Sequence, residues 1–287
     1  MSKSPLAIVT MAYNEPDFLP IWLKYYAGQV GLEQCYIVDH GSDDRSTFGL
    51  APANIIRIPR SPLDEYARAN FISAFCGSLL TWYEHVAYTD VDEILVADPR
   101  HHESLIAFCA EAKHDITTAF GMHVAHSVPD EPELAPMGKI LRQRKWALGV
   151  GSMSKPTLIR RPVQWTAGFH YSREPSRFDD LFLFHIAYCD LDIVRRRQRK
   201  RRATSRVEET GGGHHDAEED AFLTHLKSWS DMPRFDGVDL GRDCPVRAAH
   251  LAKMFRTQAA GNSENEIDVM VSGDGLWRIP ERFADSV

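Results

Sequence analysis

Residues 86–96 read VAYTDVDEILV. Three carboxylates, Asp90, Asp92 and Glu93, stand between two apolar flanks that have the character of a buried strand. Burying charge is expensive unless the charge is paired or binds a metal. Two aspartates spaced i, i+2 at a strand end share one face, because side chains alternate with period two. Such a pair is a hard, oxygen-rich site suited to Mg²⁺ or Mn²⁺. An Asp-x-Asp pair also occurs in solvated turns, but here the flanks put the acids at a core boundary, which favours a ligand.

Two further polar clusters need the same placement. Tyr13, Asn14 and Glu15 follow the apolar run 6–13, and Asp39 to Ser42 follow the run 35–41. Strands are expected at 6–13, 35–41, 54–60 and 86–96, with helices after Pro16, over 65–84 and over 104–113. Strands alternating with helices imply an α/β fold with a mostly parallel, Rossmann-like sheet covered on both faces. Ligands of such sheets bind beyond the carboxyl ends of the strands, where all three clusters fall. Beyond residue 115 the pattern turns mixed. Strands are expected at 116–128, 155–172 and 181–188, with a Pro-rich loop over 130–139. A basic helix over 191–206, a flexible acidic loop over 207–220, a short helix over 221–230 and an irregular tail complete the chain.

Composition narrows the class. The chain has 287 residues, 44% hydrophobic and 25% charged, with a formal net charge of −7. That is ordinary for a soluble globular protein and gives no general attraction for nucleic acid. No apolar run is long enough to span a bilayer, and no signal peptide is expected at the N-terminus. The five cysteines are scattered, with no C-x-x-C pair, so they are expected to be reduced core residues of a cytoplasmic protein.

The stretch IVTMAYNEPDFLPIWLKYYAGQVGLEQCYIVDHGSDDRS resembles the opening of family 2-like glycosyltransferases of the GT-A fold. Asn14 and Glu15 match the family's asparagine–glutamate pair. Asp39, Gly41, Ser42 and Asp44 match its Asp-x-Gly-Ser-x-Asp turn. YTDVDEIL is similar to its Asp-x-Asp strand, in the form found in the branch related to family 92-like enzymes. SKPTLIR, WTAGFHY and LFLFHIAYCD resemble later segments of that branch more loosely. His40 departs from the usual asparagine, and Arg45 stands where glycine is common. The resemblance covers roughly residues 5–190. It implies a GT-A domain over 1–190, with a nucleotide-binding half at about 1–100 and an acceptor half at about 115–190. Residues 191–287 would be a helical or irregular extension packed on the same domain.

The resemblance implies transfer of a sugar from a nucleoside-diphosphate sugar to a saccharide or glycolipid hydroxyl, with Mn²⁺ or Mg²⁺ as cofactor and an inverting course. Asp92 is then the first metal ligand, and Asp90 reaches ribose or metal-bound water. Tyr13, Asn14, Glu15, Asp39, Ser42 and Arg68 frame the nucleotide, although Asp39 would equally serve as a turn cap and Arg68 as a surface arginine. Glu93 faces the other way and is structural. His185 is expected as the third metal ligand, with His170 the alternative; a histidine among apolar neighbours is otherwise a packed core residue. Lys155 is a candidate for the diphosphate. Asp130, Glu131 and Glu133 are the candidate bases, with no choice among them. The run Arg195–Arg202 is either a solvated face balanced by Glu208, Glu209, Asp216, Glu218, Glu219 and Asp220, or a peripheral contact with the inner face of a membrane. A nucleotidyltransferase and a non-catalytic carbohydrate- or partner-binding protein stay open as alternatives. The first would carry a Gly-rich loop where this chain has MAYNEPDF.

Overall fold

The computed structural model of the protein describes residues 2–128, 130–135, 138–204, 218–256 and 267–287. The chain divides into two compact units. The first holds Met1–Ser61, Glu65–Phe120 and Lys155–Leu183, and the second holds Pro62–Asp64, Gly121–Ser154 and Phe184–Val287. This grouping differs from the expected one: residues 121–154 and 184–190 fall with the C-terminal segment and not with the N-terminal strands.

The first unit is α/β. Strands β1 (Ser4–Ala12), β2 (Cys35–Asp39), β3 (Asn54–Arg57) and β4 (Tyr83–Tyr88) lie in the order β3-β2-β1-β4, all parallel. Their carboxyl ends therefore share one edge. Leu6, Ala7, Ile8 and Val9 of β1 are all essentially inaccessible, as a strand covered on both faces requires. Helix α2 (Glu65–Leu79) lays Ala69, Ile72, Cys76 and Leu79 on the face made by Ala7, Val9, Val38, Val86 and Tyr88. Helix α1 (Leu19–Val30) serves the opposite face. Its Trp22 donates to Thr89 Oγ1 at 2.9 Å, and Thr89 follows Tyr88 with its side chain reversed.

The parallel block ends at β4. Strand β8 (Pro156–Ile159) is antiparallel to β4 and to the first part of β6 (Ile116–Ala125). Strand β5 (Glu93–Ala97) pairs with β9 (Arg177–His185), and the short helix α3 (Leu105–Glu111) is capped by Ser104.

One expected element is broken at the point that matters. Residues 86–96 are not a single strand: β4 stops at Tyr88, β5 starts at Glu93, and Asp90 to Asp92 form the turn between them. The charges explain the break, because a continuous strand would drive three carboxylates into a covered sheet. Two hydrogen bonds close the turn: Glu93 N–H donates to Asp90 O at 3.0 Å, and Asp90 N–H donates to Glu93 Oε2 at 3.1 Å. The expected strand over 155–172 is likewise confined to β8. Pro162 follows it, and Gly168 at φ 72° sets a tight turn further on.

In the second unit the last part of β6 pairs antiparallel with β7 (Trp146–Gly149). β7 pairs antiparallel with β11 (Leu276–Arg278), which runs parallel to β10 (Arg234–Phe235). The helices are α4 (Ile140–Gln143), α5 (Leu191–Ala203), α6 (Glu219–Ser228) and α7 (Pro245–Arg256). The tail expected to be irregular thus contributes α7 and β11. Asp190 caps α5 by accepting from Asp192 N–H at 2.9 Å and Ile193 N–H at 3.1 Å. The fully buried Arg144 donates to Cys189 O and lies 3.6 Å from Asp190. The acidic loop expected over 207–220 lies outside the described residues up to 217, and α6 begins inside its expected end. All five cysteines are buried and free. Among the described residues no helix is long and apolar enough to cross a membrane.

Helix α1 also fixes β5. The Tyr26 hydroxyl accepts from Leu95 N–H at 2.8 Å and donates to Glu93 O at 3.2 Å. Burial drives its pKa well above the ordinary tyrosine value, so it stays a donor. Tyr26→Phe leaves both backbone groups without this partner in the core and is expected to cost about 1–3 kcal/mol. Urea unfolding checks it, with an unchanged m-value as the sign that the folded and denatured states are otherwise the same.

Candidate functional site

The turn after β4 is the centre of a charged network in the first unit. Asp90 Oδ1 accepts from the Tyr88 hydroxyl at 2.9 Å and pairs with Arg68 Nη2. Its Oδ2 lies 3.7 Å from Lys155 Nζ. Lys155 is buried and donates to Glu93 Oε1 at 2.6 Å. Arg68 comes from the first turns of α2, where its Nη1 also reaches Glu65 at 3.2 Å and its guanidinium lies 5.1 Å from the Phe169 ring centre. Asp92 is buried beside this group at 5% exposure.

The network sets its own protonation. Burial pushes Asp90 upward, but Arg68 and Lys155 outweigh it and hold the carboxyl below its ordinary value. Burial opposes the charge on Lys155, yet Glu93 and Asp90 raise it above the usual lysine value. The Tyr88 hydroxyl is pushed far up by burial, so it remains a donor to Asp90. Glu65, Asp90, Asp92 and Glu93 are four carboxylates facing two cations, Arg68 and Lys155. Among these six side chains there is a formal excess of two negative charges.

The loops after β1 and β2 form a second, tightly laced group on the same edge. Asn14 sits at φ 52°, a conformation asparagine tolerates better than most residues. Its Oδ1 accepts from Asp43 N–H at 2.9 Å and its Nδ2 donates to Asp43 Oδ1 at 2.7 Å. Ser42 Oγ accepts from Asn14 N–H, and Ser46 Oγ accepts from Glu15 N–H. Gly41 has φ 76°, and a Cβ there would lie 2.8 Å from Arg60 Cβ, so the turn excludes any side chain at this position. Arg45 has φ 67°, a conformation that glycine adopts more readily than other residues.

Asp39 is 1% exposed. Its Oδ1 accepts from Ser42 N–H at 2.7 Å, and its Oδ2 accepts from Thr47 Oγ1 at 3.1 Å and Arg57 Nη1 at 2.5 Å. This is the geometry of a turn cap, the alternative the sequence left open. Sequence reasoning passed over Arg60, whose guanidinium lies 3.7 Å above the half-buried Tyr13 ring. Its signal was a basic residue three positions beyond the end of β3. Tyr88 and Glu65 were also missed; the Glu65–Arg68 spacing of three on a helix was the available clue.

His170 belongs to the first unit, in the turn around Gly168. His185 belongs to the second, where its Nδ1 is 2.8 Å from His123 Nδ1 and Tyr188 meets its ring edge-on. Among the described residues no three His, Cys, Asp or Glu side chains are gathered as a metal site. Asp130 pairs with Arg234 at 2.6 Å, and Glu133 is exposed. Glu131 accepts from Ser127 N–H at 2.9 Å and Lys145 N–H at 2.8 Å, so it braces its own loop. In the basic helix, Arg199 and Arg195 pair with Glu219 at 2.7 and 3.4 Å, and Arg202 pairs with Glu218 at 2.7 Å. The balanced face is therefore present for these three arginines. Glu208, Glu209 and Asp216 lie outside the described residues.

No protein-family model matches the chain, and no curated protein matches it either. The solved structures that match include two that are similar at a low level. A mannose-1-phosphate geranyltransferase from Thermus thermophilus is 12% identical, with a TM-score of 0.31 over 78% of this chain and 66% of that one. The mannosyltransferase PcManGT from Pyrobaculum calidifontis, in complex with GDP-Man and Mn²⁺, is 13% identical, with a TM-score of 0.34 over 91% and 77%. Likeness at this level carries no argument about activity.

The Asp39 turn makes a pH-dependent prediction. Burial raises this carboxyl, but the Ser42 and Thr47 hydrogen bonds and Arg57 bring it below its ordinary value. Its stabilisation is therefore present above the ordinary aspartate pKa and is lost as pH falls through the lower folded value. Asp39→Asn should depress the melting temperature at pH 7, and the deficit should shrink as pH falls below the ordinary aspartate value. Melting curves across that range check it; a constant deficit would show that the charge is not what stabilises the turn.

Proposed function

We propose that the protein is a metal-dependent glycosyltransferase of the GT-A fold, similar to family 2. It would move a sugar from a nucleoside diphosphate to an acceptor hydroxyl with an inverting course. The observation that carries this reading is the surplus of carboxylate gathered around the β4–β5 turn, Glu65 of α2 included, at the carboxyl edge of four parallel strands. That edge is where α/β sheets bind ligands, and a surplus of two negative charges suits a divalent cation. The Asp-x-Gly-Ser-x-Asp turn and the Asn14–Glu15 pair support it through their resemblance to the family.

Asp92 and Asp90 would hold the cation. Magnesium-type ions are held by one or two carboxylates with substrate phosphates and water completing the shell, so a cage built wholly of protein is not required. The cation would offset charge on the departing diphosphate. Tyr13 with Arg60 above it, and the laced 39–46 turn, would frame the nucleotide. Lys155, with its charge secured by Glu93, keeps Asp90 ionised. The base is proposed among Asp130 and Glu133, since both Glu131 oxygens accept from backbone. His185 is kept as the proposed third ligand and His170 as its alternative.

Hydrolysis of a panel of nucleoside-diphosphate sugars with Mn²⁺ tests the activity. Asp92→Asn is expected to abolish Mn²⁺-dependent binding of a nucleoside diphosphate while the protein still melts cooperatively. Unchanged affinity by calorimetry would sink the metal role. Cation-dependent binding without turnover of any donor would instead point to a binding protein that keeps the fold. His185→Ala is expected to weaken Mn²⁺ by more than roughly tenfold; wild-type affinity would assign His185 to packing against His123 and Tyr188, and would move the test to His170→Ala.

A further inference from the structure

Asp90 is not a bare carboxylate. Its Oδ1 already takes the Tyr88 hydroxyl and the Arg68 guanidinium, and its Oδ2 faces Lys155. A cation that is to touch Asp90 meets two fixed positive charges first. The two differ in how they are held. The Lys155 side chain is 6% exposed and pinned to Glu93 at 2.6 Å. The Arg68 side chain is 15% exposed and shared among Asp90, the Tyr88 hydroxyl, to which Nη2 donates at 2.8 Å, and Glu65, one turn back on its own helix. Both cations bridge two carboxylates, but Arg68 and its second partner Glu65 are partly exposed, whereas Lys155 and its second partner Glu93 are buried, so Arg68 is the one with room to turn.

We infer that Arg68 is the resident counter-cation of Asp90. It holds the carboxylate while the site is empty and leaves it when a diphosphate draws the guanidinium away, so that divalent cation and nucleoside diphosphate bind as a coupled pair. This rests on the metal reading proposed above. The planar fork of arginine suits phosphate oxygens as well as a carboxylate. Once Arg68 turns to phosphate, Asp90 Oδ1 loses its cationic partner and becomes open to a metal. Free metal would meet the repulsion of Arg68, and free diphosphate would have to break the Arg68–Asp90 pair. Each ligand thus removes a cost for the other, and by linkage the benefit is equal in both directions.

The test is Mn²⁺ affinity of the full-length protein by calorimetry and electron paramagnetic resonance, without nucleotide and with saturating UDP or GDP. Wild type should bind Mn²⁺ weakly alone and at least about fivefold tighter with the nucleotide. Arg68→Gln should bind Mn²⁺ alone at least about fivefold tighter than wild type and lose most of the nucleotide's enhancement. Arg68→Lys, which keeps the charge, should stay near wild type. Glu65→Gln removes the alternative partner and should shift Mn²⁺ affinity the other way, weaker without nucleotide; it also serves as the test if Arg68→Gln fails to fold. A general loss of positive charge would tighten Mn²⁺ equally with and without nucleotide. An Arg68→Gln protein that keeps the wild-type enhancement therefore overturns the inference and leaves the metal reading intact. A wild-type protein that binds neither nucleotide in a Mn²⁺-dependent way overturns both.

Discussion

Removing carboxylates from water is costly, and the first unit does it at Asp90, Asp92 and Glu93 within a turn of a covered sheet. The desolvation of such groups is offset only by close partners with good geometry. The surrounding design follows from that constraint. Lys155 enters from just ahead of β8 to meet Glu93, and Arg68 enters from α2 to meet Asp90. Tyr88 turns its hydroxyl to the same oxygen, and Glu93 returns to hold the Asp90 backbone. Replacing this network with apolar residues would give a simpler core. Its presence where parallel strands end is what the proposed cation role would account for.

The neighbouring rim solves a different problem. The chain must leave β1 and β2 abruptly and still present a fixed edge. Asn14, Gly41 and Arg45 all take positive φ within this small region. Such backbone persists where surrounding bonds over-determine it, and here Asp39, Ser42 and Asn14 supply those bonds. Arg45 carries the backbone strain that a residue with a Cβ meets at φ 67°.

The parallel strands and their helices were legible because burial on both faces writes continuous apolar runs, and helices write a stripe. The polar clusters were legible because strand ends in such folds fall on one edge. The break at Asp90 was not legible as a break. A strand–turn–strand of this length has the same apolar flanks as one strand, and only the penalty for burying charge distinguishes them. The reach of Arg68, Lys155 and Arg60 depends on helix and strand placement across the sheet, which spacing along the chain does not encode. Helix α7 escaped notice because its buried face carries Arg247 and His250 beside Met254, and strand β11 because it is only three residues long.

The way each acid is held separates scaffold from candidate chemistry more sharply than burial does. Asp190 accepts from Leu134, Asp192 and Ile193 backbone N–H groups, and Glu131 accepts from those of Ser127 and Lys145. Asp39 takes a backbone donor together with Thr47 and Arg57. Backbone donors move only if the fold moves, so these carboxylates are committed to holding loops and a helix start. The Asp90 carboxylate is held instead by Tyr88, Arg68 and Lys155, all through side chains. Side-chain partners exchange by rotamer changes that leave the fold in place. A carboxylate that must hand itself from a resident partner to a ligand needs that kind of support, and Asp90 has it while Asp39, Glu131 and Asp190 are tied at least in part to the backbone.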